Sequence, residues 1–292
     1  MARQIERIGR KARCPARPYR KRQVRRKTVL AFYALLALFV AVSAVLVIRL
    51  SNYRAARDEY ADYQAMEAVA VPSAEAAEPE QAVTPTEIVA PAFTASPTAR
   101  PFESYRVSSL KKENRDTVGW LDIPDADIQY PVVQCADNEY YMTHTFKKKR
   151  NASGAIFLDC GNTSDFTDFN TVIYGHNMKD GSMFAGLREY RHQKFFDEHP
   201  YIEVTLLNKK LKYRVFAAYV AKDGTTIDFR GQDCATEAQR SAFIKAARKR
   251  STDIASSYTV SRYDRLLTLV TCAGGDQPWF WVVHAVLVEE ET

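Results

Sequence analysis

The sequence predicts a mainly β protein: a closed β-barrel of seven to eight strands with helical insertions, preceded by one transmembrane helix and a disordered stalk. Three observations predict it. After about residue 102 the chain holds seven or eight short apolar runs of strand length, each bounded by turn residues. The one substantial helix signal among them is a capping-box pattern at Thr236-Glu237-Ala238-Gln239, opening a segment that runs to about Arg250. Before them stand an uncharged run of 21 residues, Thr28 to Ile48, and a segment too poor in apolar side chains to bury a core.

The N-terminal elements follow from charge. Residues 1–27 carry twelve Arg and Lys against one acid, Glu6, a local charge of +11. Taken from the whole chain's +6, this leaves −5 for the rest. A basic tail can serve nucleic acid, but this one directly precedes Thr28 to Ile48, so a membrane is the expected partner and nucleic acid is not. At about 1.5 Å rise per residue the run spans a hydrocarbon core of roughly 30 Å. It exceeds a signal-peptide core of about 7–15 residues. Val42-Ser43-Ala44 faintly resembles a cleavage site, yet the apolar run continues past it. The positive-inside rule puts residues 1–27 in the cytoplasm and the chain after about residue 50 outside, on a single-pass anchor.

Residues 51–65 are polar and suit a helix continuing out of the membrane. From Met66 to Pro101 lie six of the twelve prolines, with no Lys or Gly. Such a composition reads as a stalk reaching about 3 Å per residue. The predicted organisation is therefore a basic tail over 1–27, an anchor over 28–48, an Ala/Pro/Glu-rich stalk over 49–101 and a folded domain over 102–292.

Within that domain Ser104 to Asn114 reads as helix. Gly119 to Pro124, Ile128 to Val133, Ala155 to Leu158 and Thr171 to Tyr174 read as strands. Met183 to Tyr190 and Gln193 to Phe196 are short helical turns ahead of His199-Pro200. Tyr201 to Leu207 and Leu211 to Ala221 form a hairpin around Asn208-Lys209. Its second arm alternates, with Leu211, Tyr213, Val215, Ala217 and Tyr219 on one face and Lys212, Arg214 and Phe216 on the other. In the capped helix, Ala242, Phe243 and Ala246 are the expected buried face. Leu266 to Cys272 and Trp279 to Val288 close the domain.

Five cysteines occur: Cys14, Cys135, Cys160, Cys234 and Cys272. None forms a CxxC pair, which argues against zinc-ribbon and thioredoxin-type sites. An extracellular location permits disulfides, but the sequence selects no pairing. Cys272 has the most chemical context. It ends an apolar strand run beside Gly274-Gly275, where a thiol is both held and reached. By itself such a cysteine is more often an inert small hydrophobe. His176 ends another strand run in Gly175-His176-Asn177, and an imidazole is a common activator of a thiol. No HExxH, phosphate loop or GxSxG occurs, so neither a metal nor a cofactor is expected.

Read together, several segments resemble the sortases, class B in particular, from about Phe102 to Val288. They are Asp116 to Leu121, Tyr130 to Gln134, Asp137-Asn138 with Tyr141, Gly154 to Asp159, Asn170 to Met178 continuing through Gly181 to Phe184, and Leu267 to Cys272. The pairing of a TLxTC element with an upstream YGHN is the most specific part. The resemblance implies a sortase-type barrel and a membrane-tethered cysteine transpeptidase of the Gram-positive surface. Such enzymes cut an LPxTG- or NPxTN-type sorting signal after its threonine, through a thioester. They pass the surface protein to a peptidoglycan-precursor or pilin amine, a peptidase-type chemistry without cofactor. Cys272 is then the nucleophile and His176 the general acid and base. Asn138, Met142 and Thr271 fall at substrate-groove positions, and Val270 stands where class B enzymes often carry Ser.

One position departs from the pattern. The family places a third catalytic residue, an arginine, at the start of the last strand. Here that position is Phe280, and no arginine follows Arg265. Three explanations compete: an arginine reaching in from a loop (Arg262, Arg265 or Arg230), backbone amides of Gly274 and Gly275 as oxyanion donors, or a weak or inactive enzyme. The alternative function is accordingly a catalytically silent sortase-fold protein that binds sorting signals. An ordinary cysteine endopeptidase is a third reading.

Overall fold

The computed structural model describes residues 26–68, 101–222, 229–231, 234–272 and 279–292. The basic tail as far as residue 25, most of the stalk and the Gly274-Gly275 turn, as predicted above, lie outside the described residues. The chain divides into two compact units, Met1–Leu50 and Ser51–Thr292. In the first, helix α1 (Arg26–Ala68) begins. Its apolar stretch starts at Val29, reaches a mean hydropathy of 2.7 and is long enough to cross a membrane. Apolar side chains point to all sides of it, as in a helix made for a uniformly apolar surrounding.

In the second unit the remainder of α1 changes character. Ala56, Glu59, Tyr60 and Tyr63 are buried, a spacing of three, one and three that lays one stripe along a helix. Tyr60 and Tyr63 belong to the same apolar cluster as the barrel core. Residues 51–65, expected at the head of a free stalk, are thus part of the folded domain. Average composition hid this stripe, because its buried members include a glutamate and two tyrosines rather than aliphatic residues.

Eight strands close the barrel. They are β1 (Thr117–Ile123), β2 (Ile128–Val133), β3 (Ile156–Leu158), β4 (Asn170–His176), β5 (Tyr201–Thr205), β6 (Lys210–Lys222), β7 (Leu266–Cys272) and β8 (Trp279–Glu291). The order around the barrel is β1-β2-β3-β4-β7-β8-β6-β5, with β5 returning to β1. The mainly β barrel with helical insertions is therefore observed. Most neighbours are antiparallel, but β2 with β3 and β4 with β7 run parallel. A parallel neighbour requires a long crossover. That between β4 and β7 carries α3 (Gln193–Glu198), β5, β6 and α4 (Glu237–Arg250), while α2 (Pro101–Glu113) precedes β1.

The cap predicted for α4 is present in both halves. Thr236 Oγ1 accepts from the Gln239 amide, and the Gln239 side chain accepts from the Thr236 amide. The buried face is Phe243, Ile244 and Ala247, one step round from the expected Ala242, Phe243 and Ala246. The rotation lets Phe243 meet His284 and Phe169 edge-on, at ring separations of 5.5 and 5.9 Å. In β6 the alternation holds from Leu211 to Val215 and then fails, because Phe216 is buried too. The register slips between Val215 and Ala217, and α4 covers the outer side, with Arg248 lying 5.5 Å over the Phe216 ring.

Candidate active site

Parallel pairing of β4 with β7 builds the site. Each residue from Asn170 to His176 stands opposite one from Leu266 to Cys272, and the last pair in register is His176 with Cys272. Two chemically competent residues 96 positions apart in sequence thereby end adjacent strands side by side. Residues two apart on a strand share a face, so Asn170, Tyr174 and His176 line one face of β4 with Thr268 beside them on β7.

His176 is half-buried against tight backbone. Its Nε2 lies 2.7 Å from the Met142 carbonyl. A carbonyl only accepts, so Nε2 carries the proton and Nδ1 is the nitrogen that gains and loses one. Burial pushes the His176 pKa below its ordinary value, and the Met142 carbonyl partly opposes this. Gly154 makes room for the ring, and Gly175 lets the strand before it pack close on Ile156 and Phe184. A side chain at Gly175 would come within 2.4 Å of Ile156 Cδ1. Gly154 has φ of +58°, and a Cβ there would stand 2.5 Å from the Tyr141 carbonyl and 3.0 Å from His176 Cδ2.

A polar chain runs along the same face. Tyr174 Oη donates to Asp159 Oδ2 at 2.8 Å and accepts from Arg230 Nε at 2.9 Å. Asn138 Nδ2 donates to the same carboxylate oxygen at 3.1 Å, and Asn138 Oδ1 accepts from the Cys160 amide at 2.8 Å. Burial, followed by the Asp159 charge, raises the Tyr174 pKa. The backbone that presents Arg230 is itself held. Asn170 Nδ2 donates to the carbonyls of Phe229 and Arg230, at 3.1 and 2.7 Å. Asn170 Oδ1 accepts from Thr268 Oγ1 at 2.7 Å, and Thr268 Oγ1 meets His284 Nδ1 at 2.8 Å. Phe229 packs on Phe280 with ring centroids 6.4 Å apart.

The structure therefore brings His176, Met142 and the Cys272 backbone together, and links Asn138 to Tyr174 through Asp159. It does not bring Arg265 or Arg262 to them. Arg265 precedes the first residue of β7 and pairs with Glu290, so the seven-residue strand, roughly 20 Å at about 3.3 Å per residue, separates it from Cys272. Arg262 pairs with Glu237 at the start of α4, 2.9 Å away. Thr271 is fully buried, and its hydroxyl accepts from the Trp281 amide at 2.8 Å. Gly274 and Gly275 lie outside the described residues. Asp159 and Asn170 were not singled out from sequence as site residues. Their one signal was a place within the matching segments, Asn170 at the same strand parity as His176. A cavity of about 340 Å³ opens elsewhere, between the end of α1 and the segment after His176, lined by Tyr53, Arg57, Tyr60, Gln64, Asp180 and Ser182 among others.

Residues 121–288 match the family model of the sortase domain, and the chain belongs to the sortase family. Within the family it is a class B sortase by its relatives. It is 41% identical over 167 residues to sortase B of Listeria monocytogenes, covering 56% of this chain and 65% of that protein. Sortase B of Staphylococcus aureus is 33% identical over 164 residues, with 56% and 66% covered. The chain thus spans just under two thirds of the length of these curated relatives. Among solved structures, a sortase B–substrate complex from S. aureus superposes with a TM-score of 0.60 at 29% identity, over 65% of this chain and 88% of that one. The sortase B structure from L. monocytogenes gives 0.55 at 36% identity, over 62% and 99%.

Proposed function

We propose that the chain is a membrane-anchored cysteine transpeptidase that cleaves an LPxTG- or NPxTN-like sorting signal after its threonine. The observation that carries this reading is the β4–β7 register, which sets Cys272 opposite His176 inside a sortase barrel. The Cys272 thiol passes its proton to His176 Nδ1, and the thiolate attacks the threonyl carbonyl carbon. The tetrahedral intermediate collapses as the bond to the following residue breaks, and His176 returns the proton to that leaving amine. A thioester joins Cys272 to the surface protein. An incoming cell-wall or pilin amine attacks it, loses a proton to His176, and the thiolate leaves.

Arg230 fills the part of the arginine missing at Phe280. Its backbone is anchored by Asn170 and its side chain by Tyr174, two residues before His176. This supports a working site over a catalytically silent one. A guanidinium on this face stabilises the oxyanion of the tetrahedral intermediate. The apolar stretch of α1 supports anchoring by a single span, N-terminus inside and the barrel outside.

The test is incubation of the full chain in detergent with LPxTG- and NPxTN-type peptides and an amine acceptor. Mass spectrometry should find an acyl-enzyme on Cys272, and the amine should divert it to transpeptidation product. Unchanged product from Cys272→Ala, or hydrolysis that the amine never diverts, would sink the reading.

A further inference from the structure

The part of α1 after Ser51 is built against the walls on either side of His176. Tyr60 is its centre. The Tyr60 hydroxyl accepts from the Phe146 amide at 3.1 Å and donates to the Gly154 carbonyl at 2.9 Å. It thereby ties together both legs of the loop that leaves Met142 and returns to β3. Neighbouring residues hold the same loop. Glu59 accepts from the Lys147 amide at 3.0 Å, and the Asn52 carbonyl accepts from Asn151 Nδ2 at 2.7 Å.

This loop is the floor of the imidazole. The space a Cβ on Gly154 would occupy is bounded by Tyr141 O at 2.5 Å, Met142 O at 2.9 Å and His176 Cδ2 at 3.0 Å. Gly154 and the Met142 carbonyl that holds Nε2 thus share the surface under the ring. On the other side, the Tyr60 ring packs edge-on against Tyr130 at 5.3 Å, and Tyr130 Oη accepts from the Met183 amide at 2.9 Å. Met183 closes the turn after His176 through a bridge to Asn177, with a strained φ of +58° that needs outside support. The 340 Å³ cavity beside Tyr60 is lined by Asp180, Ser182 and Met183 of the same turn.

We propose that Tyr60 is a positioning residue for His176, fixing from α1 both the loop that holds its Nε2 and the turn that follows it. The inference rests on the transpeptidase reading for its consequence in rate, though not for its structural claim. Groups acting on His176 are its burial and the Met142 carbonyl, in that order. Loosening the loop admits water to the ring, and this larger influence weakens.

The test uses the full chain in detergent, wild type against Tyr60→Phe, with Tyr130→Phe as a second variant should the first not fold. The His176 pKa is read by NMR titration of labelled histidine, its signal assigned by its loss in His176→Asn. In Tyr60→Phe it should rise towards the ordinary value near 6.5. Transpeptidation kcat should fall about tenfold with KM changed less than twofold. A lower melting temperature with the His176 titration and kcat both at wild-type values in the variants would reduce Tyr60 to a fold residue and overturn the proposal. If even the wild type makes no product, the transpeptidase reading fails, while the titration still decides the place of Tyr60.

Discussion

Two histidines of the barrel, His176 and His284, set the imidazole proposed for catalysis beside one held within the core. Burial lowers the pKa of both, and that of His284, with a smaller push from Arg250, to about 3. The difference lies in their partners. His284 is fully buried in mid-strand, with Nδ1 at Thr268 Oγ1 and Nε2 at Tyr219 Oη, 2.8 and 3.0 Å away. His176 stands at a strand end, its Nε2 on the Met142 carbonyl. One ladder connects the two regions, because the His284–Thr268–Asn170 chain holds the backbone of Arg230. A buried histidine thus helps to hold the backbone of Arg230, the cation proposed to act with His176.

The sharpest way to break this comparison is to remove each ring. His176→Ala should lower kcat/KM for transpeptidation by about 1000-fold, within the range for a lost general acid–base. Its melting temperature should stay near that of the wild type. His284→Ala should do the reverse, destabilising the fold by about 2–4 kcal/mol in chemical denaturation. Equal loss of activity in both at matched stability would contradict the division of roles.

Arg230→Ala should lower kcat by about 100- to 1000-fold, as for removal of an oxyanion donor, whereas Arg265→Ala at the far end of β7 should change it less than twofold. Steady-state kinetics on the peptide and amine pair check this, and similar losses in both variants would refute the assignment of Arg230. Next in size is the ladder. Asn170→Ala strands the Phe229 and Arg230 carbonyls, and kcat should fall about tenfold with about 1–3 kcal/mol of stability.

The pH response of the fold completes the series. His284 has a folded pKa below its unfolded value near 6.5, so below that pH the unfolded chain binds the proton that the folded chain refuses. Stability is full above about pH 6.5 and declines as pH falls towards about 3. Going from pH 8 to pH 5 should cost about 2 kcal/mol from this group. Denaturation at both pH values, with His284→Gln as comparison, measures it. A variant as acid-sensitive as the wild type would assign the loss to other groups.

Much of this was legible in the sequence. Strand runs of period two or continuous apolarity, bounded by turns, marked all eight strands, because burial on one or both faces leaves that pattern in the residues themselves. The capping box of α4 and the lipid-length run of α1 were legible for the same reason, being local. Cys272 and His176 stood out through the segments around them. The near misses were also local in origin. Ala242 and Ala246 look as apolar as Ile244 and Ala247, and only the surface that α4 packs on decides which side turns inwards.

What the tertiary structure alone decided is everything that depends on residues distant in the chain. The parallel register that seats His176 opposite Cys272 needs the whole crossover between β4 and β7. The bonds of Arg230 to Tyr174 and Asn170 on β4, and the pairing of Arg265 with Glu290 and of Arg262 with Glu237, likewise join distant residues. The packing of Tyr60 on the loop beneath His176 joins positions 94 residues apart in sequence. Composition and period report what each residue prefers to bury. They do not report which partner it meets, since that is set by closure of the barrel, where every strand's position constrains its neighbours.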